Sequence, residues 1–224
     1  MSATIQAFIF DMDGTLIDDM PFHTHIWVSY LTELGAPVDA HTFHERTAGF
    51  TNKEILRTYL GADLPDEAVD VYAREKEIRY RSTYRDAIQP IPGLVDFLRQ
   101  ARSAGIRLAL ATSAPRENID FVLEIIGLVG YFEVIVGAEE VTRGKPDPEI
   151  FQIALRRLGL TAQQALVFED SRGGIEAARR AGLPVIAITT GMPADRALTL
   201  PGVRRAAVDY TGLNAAALVK EIRA

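Results

Sequence analysis

A short apolar segment near the start of the chain is followed directly by acidic and hydroxyl residues. Residues 5–10 are apolar except for Gln6, and Asp11-Met12-Asp13-Gly14-Thr15 comes next. A carboxylate can attack phosphorus as a nucleophile, and a second acid two residues later suits proton transfer to the leaving oxygen. Four fixed residues in this pattern should occur by chance at roughly one position in 10⁵. The segment therefore predicts phosphoryl transfer, with Asp11 as the nucleophile and Asp13 as the acid and base.

Three later segments carry groups that complement a carboxylate and a phosphate. Thr112 and Ser113 follow an apolar run, Lys145 lies in a Gly-Lys-Pro loop, and Glu169-Asp170 ends another apolar run. Thr112 can donate a hydrogen bond to phosphoryl oxygens, and Lys145 supplies a positive charge. A carboxylate and a phosphate repel each other, so Mg²⁺ is the expected cofactor. We assign it to Asp11, the backbone carbonyl of Asp13, and Asp170, with Glu169 as a direct or outer ligand.

Each of these later segments also has an ordinary explanation. Adjacent acids such as Glu169-Asp170 are commonly solvated or cap a helix, a lysine in a turn is commonly a surface residue, and Thr112-Ser113 could be a helix N-cap. Their occurrence together, in chain order and at predicted strand ends, favours a common site.

Apolar runs alternate with helical patterns through most of the chain. The runs at 5–10, 106–111, 134–136, 166–168 and 185–188 predict buried strands, and the segments 94–104, 116–126, 148–158 and 175–181 predict helices. Strands that alternate with helices indicate a parallel sheet covered on both faces, which makes this an α/β protein. In such sheets ligands bind outside the carboxyl ends of the strands, where the acids, hydroxyls and Lys145 fall.

Residues 19–88 interrupt this alternation. They show helical patterns at 23–34, 51–60 and 66–84 but no strand, and breakers such as Pro21 and Pro90 flank them. The segment is far longer than a strand crossover needs, although long crossover helices packed on the sheet are the alternative. We therefore predict a core domain of residues 1–18 and 89–224 and a helical cap domain of residues 19–88.

Composition narrows the classes of protein further. The chain has 224 residues, 48% of them hydrophobic, and its formal net charge is −6, which disfavours binding to nucleic acid or to anionic membranes. It contains no cysteine, which excludes disulfide scaffolds and thiol nucleophiles. No apolar run is long enough to span a bilayer. We expect a cytoplasmic monomer whose partner is a small phosphate ester.

These motifs together resemble those of the haloacid dehalogenase superfamily. The resemblance rests on residues 10–16, residues 111–113, Lys145-Pro146, and residues 169–171 with 173–175, in that order. It implies a Rossmann-like three-layer core, a mobile cap, dependence on Mg²⁺ and an aspartyl-phosphate intermediate. The position of the helical segment is similar to that in the subgroup of β-phosphoglucomutase and small sugar-phosphate phosphatases. A phosphatase that acts on a sugar or polyol phosphate is the implied activity.

In this subgroup the cap contacts the substrate. His23 has the spacing from Asp11 at which the mutase carries a hinge histidine, and we predict a substrate-binding set of His23, Gly49, Asn52, Lys53, Ser113 and Arg116. The mutase holds a second phosphate with an arginine and a lysine in the cap. Alignment on Gly49 places Asn52 and Ala48 at those two positions, which favours hydrolysis of a monophosphate.

Three alternatives have different requirements. A β-phosphoglucomutase would need a second phosphate site. A pyrophosphatase or phosphonatase on the same scaffold is also possible, but phosphonate cleavage needs a poised cap lysine, and Lys53 is the only lysine of the cap loop. A response-regulator receiver domain, which is not an enzyme, also clusters acids with Thr and Lys, but it is about half as long and has no helical insert.

Overall fold

The centre of the protein is a parallel sheet of six strands. The structure is a computed structural model, and it describes residues 4–47 and 50–222, apart from the side chains of His44 and Glu45. The strands are β1 (Ala7–Phe10), β2 (Arg107–Ala111), β3 (Val134–Val136), β4 (Ala165–Glu169), β5 (Val185–Ile188) and β6 (Val203–Ala207), in the spatial order β3-β2-β1-β4-β5-β6. The chain reverses its direction of travel across the sheet between β1 and β4. In open α/β sheets this reversal opens a crevice at the carboxyl ends of the strands.

The first four of the five described α-helices between β1 and β2 form what we call the helical insert, residues 20–84. They are α1 (Met20–Glu33), α2 (Ala40–Thr47), α3 (Asn52–Leu60) and α4 (Asp66–Tyr84). The insert has its own hydrophobic cluster, centred on Trp27, Tyr30, Phe43 and Leu56. It is therefore stabilised in part independently of the sheet. The borders at 18/19 and 88/89 stay a prediction of how the chain divides into domains.

Six further helices of the described chain cover the sheet; the first of them lies between the insert and β2, and the other five follow β2. They are α5 (Leu94–Ser103), α6 (Arg116–Ile125), α7 (Glu149–Leu158), α8 (Arg172–Arg180), α9 (Ala194–Leu198) and α10 (Ala215–Glu221). One core cluster packs Phe8 and Phe10 against Phe97, and another packs Ile9 against Phe151 on the opposite face. Two apolar faces on one sheet give three layers, so the predicted Rossmann-like α/β fold with inserted helices is confirmed.

Four of these strands and helices were absent from the sequence prediction: β6, α2, α9 and α10. Strand β6 reads Val-Arg-Arg-Ala-Ala, and it pairs with β5 at the edge of the sheet, where part of each side chain meets solvent. An edge strand does not need the continuous apolar run by which buried strands are recognised. In helix α2, Phe43 is a buried apolar side chain without a helical period around it. The pattern of apolar residues therefore gave little indication of either β6 or α2.

The chain leaves and re-enters the core at adjacent points. Ile17 and Pro90 form an antiparallel bridge, and the backbone N–H of Ile91 donates to the carbonyl oxygen of Leu16 over 2.8 Å. The two segments that connect the insert to the sheet are thus hydrogen-bonded to each other.

Candidate active site

Charged side chains meet at the carboxyl ends of β1 and β4. Asp11 follows β1, Glu169 ends β4, and Lys145 reaches them from the loop before α7. The Lys145 ammonium donates to Asp11 Oδ1 at 2.7 Å and to Glu169 Oε1 at 2.5 Å. All three residues are buried. Burial opposes the charge on Lys145, but the attraction of Asp11 and Glu169 raises the pKa of Lys145 above its usual value.

The start of helix α8 fixes the position of Glu169. Its Oε2 accepts hydrogen bonds from the backbone N–H of Asp170, the backbone N–H of Ser171 and the Ser171 hydroxyl, each at 3.0 Å. A helix N-terminus favours a negative charge, because its first N–H groups lack partners in the helix. Gly174 makes room for the carboxylate, since a Cβ atom there would lie 1.7 Å from Glu169 Oε1. Glu169 is therefore held by donors of the chain itself.

Asp11, Glu169 and Asp170 form a group that fits a divalent cation. Each offers one oxygen, and these oxygens lie within 4.8 Å of one another. Asp170 Oδ2 is buried and has no hydrogen-bond partner. Gly14 (φ 76°) passes so close that a Cβ atom would lie 2.1 Å from this oxygen. Three carboxylates face one ammonium, and hard oxygen ligands suit Mg²⁺, so the residues present fit the predicted cofactor.

The protonation of these acids reflects the excess of negative charge. Burial raises the pKa of Asp11 to about 8; Lys145 opposes the rise, and Glu169 and Asp13 add to it. Burial and the neighbouring Glu169 and Asp11 also raise the pKa of Asp170 well above its usual value. A bound cation would replace the protons that these raised values imply.

Asp13 lies beside two groups from the start of the insert. Its Oδ2 is 3.9 Å from His23 Nε2, and the same nitrogen is 3.2 Å from Asp19 Oδ2. Burial and the charge of Asp19 raise the pKa of Asp13 well above its usual value, although His23 opposes this. Burial and Lys76 lower the pKa of His23 to about 4. Asp13 therefore keeps a proton to higher pH than an ordinary aspartate, beside a histidine whose pKa is lowered.

The structure brings Thr112 and Ser113, but not Arg116, to the site. Thr112 is buried, and its hydroxyl oxygen accepts from the backbone N–H of Ala114 at 3.1 Å. Thr112 and Ser113 both line the cleft above Asp11. Arg116 is not among the lining residues; its side chain is 62% exposed and pairs with Asp120 at 2.9 Å.

A cleft of about 740 Å³, including its open mouth, separates these residues from the insert. Asn52 lines it and donates to Glu77 Oε1 at 2.7 Å, and His23 lines it as well. Lys53 does not line it; this side chain is 53% exposed and pairs with Asp66 at 3.0 Å. The predicted residue Gly49 lies outside the described residues.

Three polar residues on the cleft wall were missed in the sequence. The Lys76 ammonium lies 2.7 Å from His23 Nδ1 and donates to Glu77 Oε1 at 2.9 Å. The Asn118 amide donates to Glu77 Oε2 at 2.6 Å. Helix α4 is rich in charged residues and resembles a solvated helix. The available signal was spacing, because Lys76 falls on the same face as the apolar residues Val69, Tyr80 and Tyr84.

Within residues 4–47 and 50–222, no helix is long and apolar enough to cross a bilayer.

Comparison with known proteins identifies the family. The haloacid dehalogenase-like hydrolase family matches residues 5–182. A phosphorylated carbohydrates phosphatase of Thermotoga maritima is 32% identical over 80% of this chain and 82% of its own. The fructose-1-phosphate phosphatase YqaB of Escherichia coli is 33% identical over 80% of this chain and 93% of its own.

A solved structure agrees with these sequence matches. The β-phosphoglucomutase of Clostridium difficile superposes with a TM-score of 0.84 and 25% identity, over 97% of this chain and 96% of that one. The family match covers most of the chain and includes each strand-end acid of the site. The chain therefore belongs to the haloacid dehalogenase-like hydrolases, in the subgroup of β-phosphoglucomutase-like proteins and sugar-phosphate phosphatases, and it is a phosphoric monoester hydrolase.

Proposed function

We propose that the chain is a Mg²⁺-dependent phosphatase that hydrolyses a small phosphorylated carbohydrate through a phosphoryl group carried on Asp11. The observation that carries this proposal is the pair of contacts from Lys145 to Asp11 and Glu169, beside the unpartnered oxygen of Asp170. The relatives named for phosphorylated carbohydrates and for fructose 1-phosphate support the substrate class.

In the proposed reaction Asp11 attacks the phosphorus atom through a carboxylate oxygen. The new O–P bond forms as the bond to the sugar oxygen breaks, and Asp13 gives its proton to that oxygen. Asp13 then takes a proton from water as the water oxygen attacks phosphorus and releases Asp11. Lys145 and the hydroxyl of Thr112 stabilise the charge on the phosphoryl oxygens.

We assign the cofactor to Asp11, Asp170 and the backbone carbonyl of Asp13. When bound, Mg²⁺ would neutralise the repulsion between the attacking carboxylate and the phosphate. Both oxygens of Glu169 already accept hydrogen bonds from the chain, so we place Glu169 behind Lys145, where it orients the ammonium.

Phosphomutase activity is the second candidate. The structural similarity to a β-phosphoglucomutase and the position of His23 beside Asp13 favour it. Against it, Asn52 is bound to a carboxylate and Lys76 is paired with the same carboxylate. Phosphonate cleavage has less support, because Lys53, the lysine on which it depended, pairs with Asp66 at the surface.

Phosphate release from a panel of sugar and polyol monophosphates, with and without Mg²⁺, tests the activity. The panel includes pyrophosphate and phosphonoacetaldehyde, and isomerisation of β-glucose 1-phosphate is assayed with its bisphosphate activator. We expect Mg²⁺-dependent release from a sugar or polyol phosphate, and no release in Asp11→Asn. Isomerisation faster than release would contradict the proposal.

A chemical trap tests the covalent step separately. Borohydride reduces an acyl phosphate to an alcohol, so enzyme quenched during turnover should yield homoserine at position 11 by mass spectrometry. Enzyme without substrate is the control. Turnover without any modified Asp11 would overturn the covalent route while leaving hydrolysis intact.

A cytoplasmic location and a monomeric state stay predictions from composition.

A further inference from the structure

A buried carboxylate forms part of the cleft wall opposite the phosphoryl site. Glu77 on helix α4 is 4% exposed and lines the same cleft as Asp11. Its Oε1 accepts from Asn52 and Lys76, and its Oε2 accepts from Asn118. Asn52 and Lys76 belong to the insert and Asn118 to the core, so Glu77 joins the two sides of the cleft.

The wall around Glu77 carries almost no net charge. Burial opposes ionisation of Glu77, but Lys76, His23 and Asn52 together lower its pKa to about 2. Glu77 is therefore negative and offsets the charge of Lys76.

Three other basic side chains near this wall form ion pairs and do not line the cleft. Lys53 and Arg57 both pair with Asp66, at 3.0 and 2.8 Å. Arg81 donates to Asn118 Oδ1 at 2.8 Å and pairs with Glu117 at 2.9 Å. Among the described residues of the insert that line the cleft, Lys76 is the one lysine or arginine, and Glu77 neutralises it.

Apolar side chains from the insert also line the cleft: Trp27, Phe43, Phe50 and Ile55. A carbohydrate presents hydroxyl groups along its edges and C–H groups on its faces. A wall that combines hydrogen-bonding groups with aromatic surface matches both parts of such a molecule.

We infer that Glu77 determines specificity: its carboxylate selects phosphate esters whose remaining part is an uncharged polyhydroxy group and excludes those with a second phosphate or a carboxylate. A second anion would lie in a buried site near a fixed negative charge, and among the described cleft-lining residues of the insert it would meet no cation without an acidic partner. This inference rests on the proposed function, because it assumes that the phosphoryl end binds at Asp11.

A purely structural role for Glu77 makes a different prediction. If Glu77 only holds Asn52, Lys76 and Asn118 in place, its replacement should weaken the binding of all phosphate esters to the same extent, whether or not they carry a second anionic group. If the negative charge of Glu77 selects the ligand, the replacement should change the ratio of the Kd values of the two kinds of ester.

The test compares two ligands that differ by one phosphate, fructose 1-phosphate and fructose 1,6-bisphosphate. Calorimetric titration in the Asp11→Asn background, with Mg²⁺, gives both Kd values without turnover. We expect the Kd of the bisphosphate to be at least about tenfold higher than that of the monophosphate. Glu77→Gln should lower this ratio of Kd values at least about tenfold. The control is Asp70→Asn, which removes the same charge from an exposed position of α4 and should leave the ratio unchanged.

A second variant keeps the test decisive if Glu77→Gln does not fold. Asn52→Lys adds an ammonium to the same wall while Glu77 is retained, and it should narrow the same ratio. An unchanged ratio in folded Glu77→Gln, or in Asn52→Lys, would overturn the inference. Phosphate release by the parent enzyme is measured in parallel. Release with an unchanged ratio refutes the role of Glu77 alone, whereas a changed ratio without release refutes the proposed hydrolysis alone.

Discussion

The hydroxyl of Tyr80 donates a hydrogen bond to Asp19 Oδ2 over 2.6 Å, and both residues are buried. Tyr80 lies on α4, and Asp19 immediately precedes α1, so the bond joins the end of the insert to its beginning. Burial raises the pKa of Asp19 to about 6, and the bond from Tyr80 limits the rise. The hydrogen bond from Tyr80 therefore partly replaces the water that the Asp19 carboxylate loses on burial.

Replacing Tyr80 by Phe should destabilise the protein by about 1–3 kcal/mol, because a buried acceptor loses its donor. The loss should be larger at pH 8 than at pH 5, since Asp19 is charged above its pKa of about 6. Urea unfolding at the two pH values measures it. Tyr59→Phe, the same change at a half-buried tyrosine of the insert, should cost no more than about 0.5 kcal/mol. Equal losses in the two variants would contradict this account.

Stability without Mg²⁺ should fall as pH rises from 6.5 to 8. Asp11 has a pKa of about 8 in the folded chain and 3.8 as a free group, so the folded chain holds a proton that the unfolded chain has lost. One such proton changes the free energy of unfolding by about 1.4 kcal/mol per pH unit. His23 has the opposite dependence, but only between its folded pKa of about 4 and its usual value of 6.5.

Chemical unfolding in EDTA at pH 6.5, 7.2 and 8 measures this dependence. Saturating Mg²⁺ should stabilise the protein most at pH 8, where fewer protons compete for the carboxylates. Asp11→Asn removes one titrating group and should reduce the slope. A free energy of unfolding that does not change over this range in EDTA would refute the raised pKa of Asp11.

The two lysines proposed for the site should differ sharply. Lys145→Met leaves the carboxylates of Asp11 and Glu169 without their shared ammonium, and kcat should fall at least about 100-fold. Lys53→Met removes a surface ion pair to Asp66, so kcat/KM should change less than about twofold. Steady-state phosphate release measures both. A large rise in KM for Lys53→Met would restore the substrate contact predicted from the sequence.

Gly174→Ala tests the packing behind the site. The added methyl group would lie 1.7 Å from Glu169 Oε1, so the carboxylate must move away from Lys145. We expect a loss of about 1–3 kcal/mol in stability, despite the better helix propensity of alanine, and at least about a tenfold loss of kcat.

Gly212→Ala is the matched control for Gly174→Ala. No neighbouring atom lies within 4 Å of the added group, so stability should change by less than about 1 kcal/mol. If Gly174→Ala behaved like Gly212→Ala in thermal unfolding and in turnover, Glu169 would not be held as the structure shows.

The sequence was sufficient for the sheet and for the acids at its edge because both depend on local order. Each buried strand is a largely apolar run; Asp11, Thr112 and Glu169 directly follow such runs, and Asp170 is the next residue after Glu169. Parallel strands bring residues at their carboxyl ends to one edge, whatever the details of packing. The position of Lys145 followed from its chain order relative to the other motifs.

The cleft wall could not be predicted in the same way. Whether Lys76 and Glu77 meet solvent or the cleft depends on the angle at which α4 crosses the core, and that angle is set by contacts such as Tyr80 with Asp19. Lys53 shows the converse. It follows a loop with the expected pattern, but the rotation of α3 directs its side chain to Asp66 at the surface.

The bridge between Ile17 and Pro90 makes the helical insert an exchangeable module. The two connections to the core are bridged to each other, so a longer, shorter or different segment can be grafted there without reordering the sheet. A different insert at this junction would change the cleft wall opposite Asp11 and leave the strand-end residues of the core in place. In protein engineering the same junction offers a defined place to exchange one specificity for another.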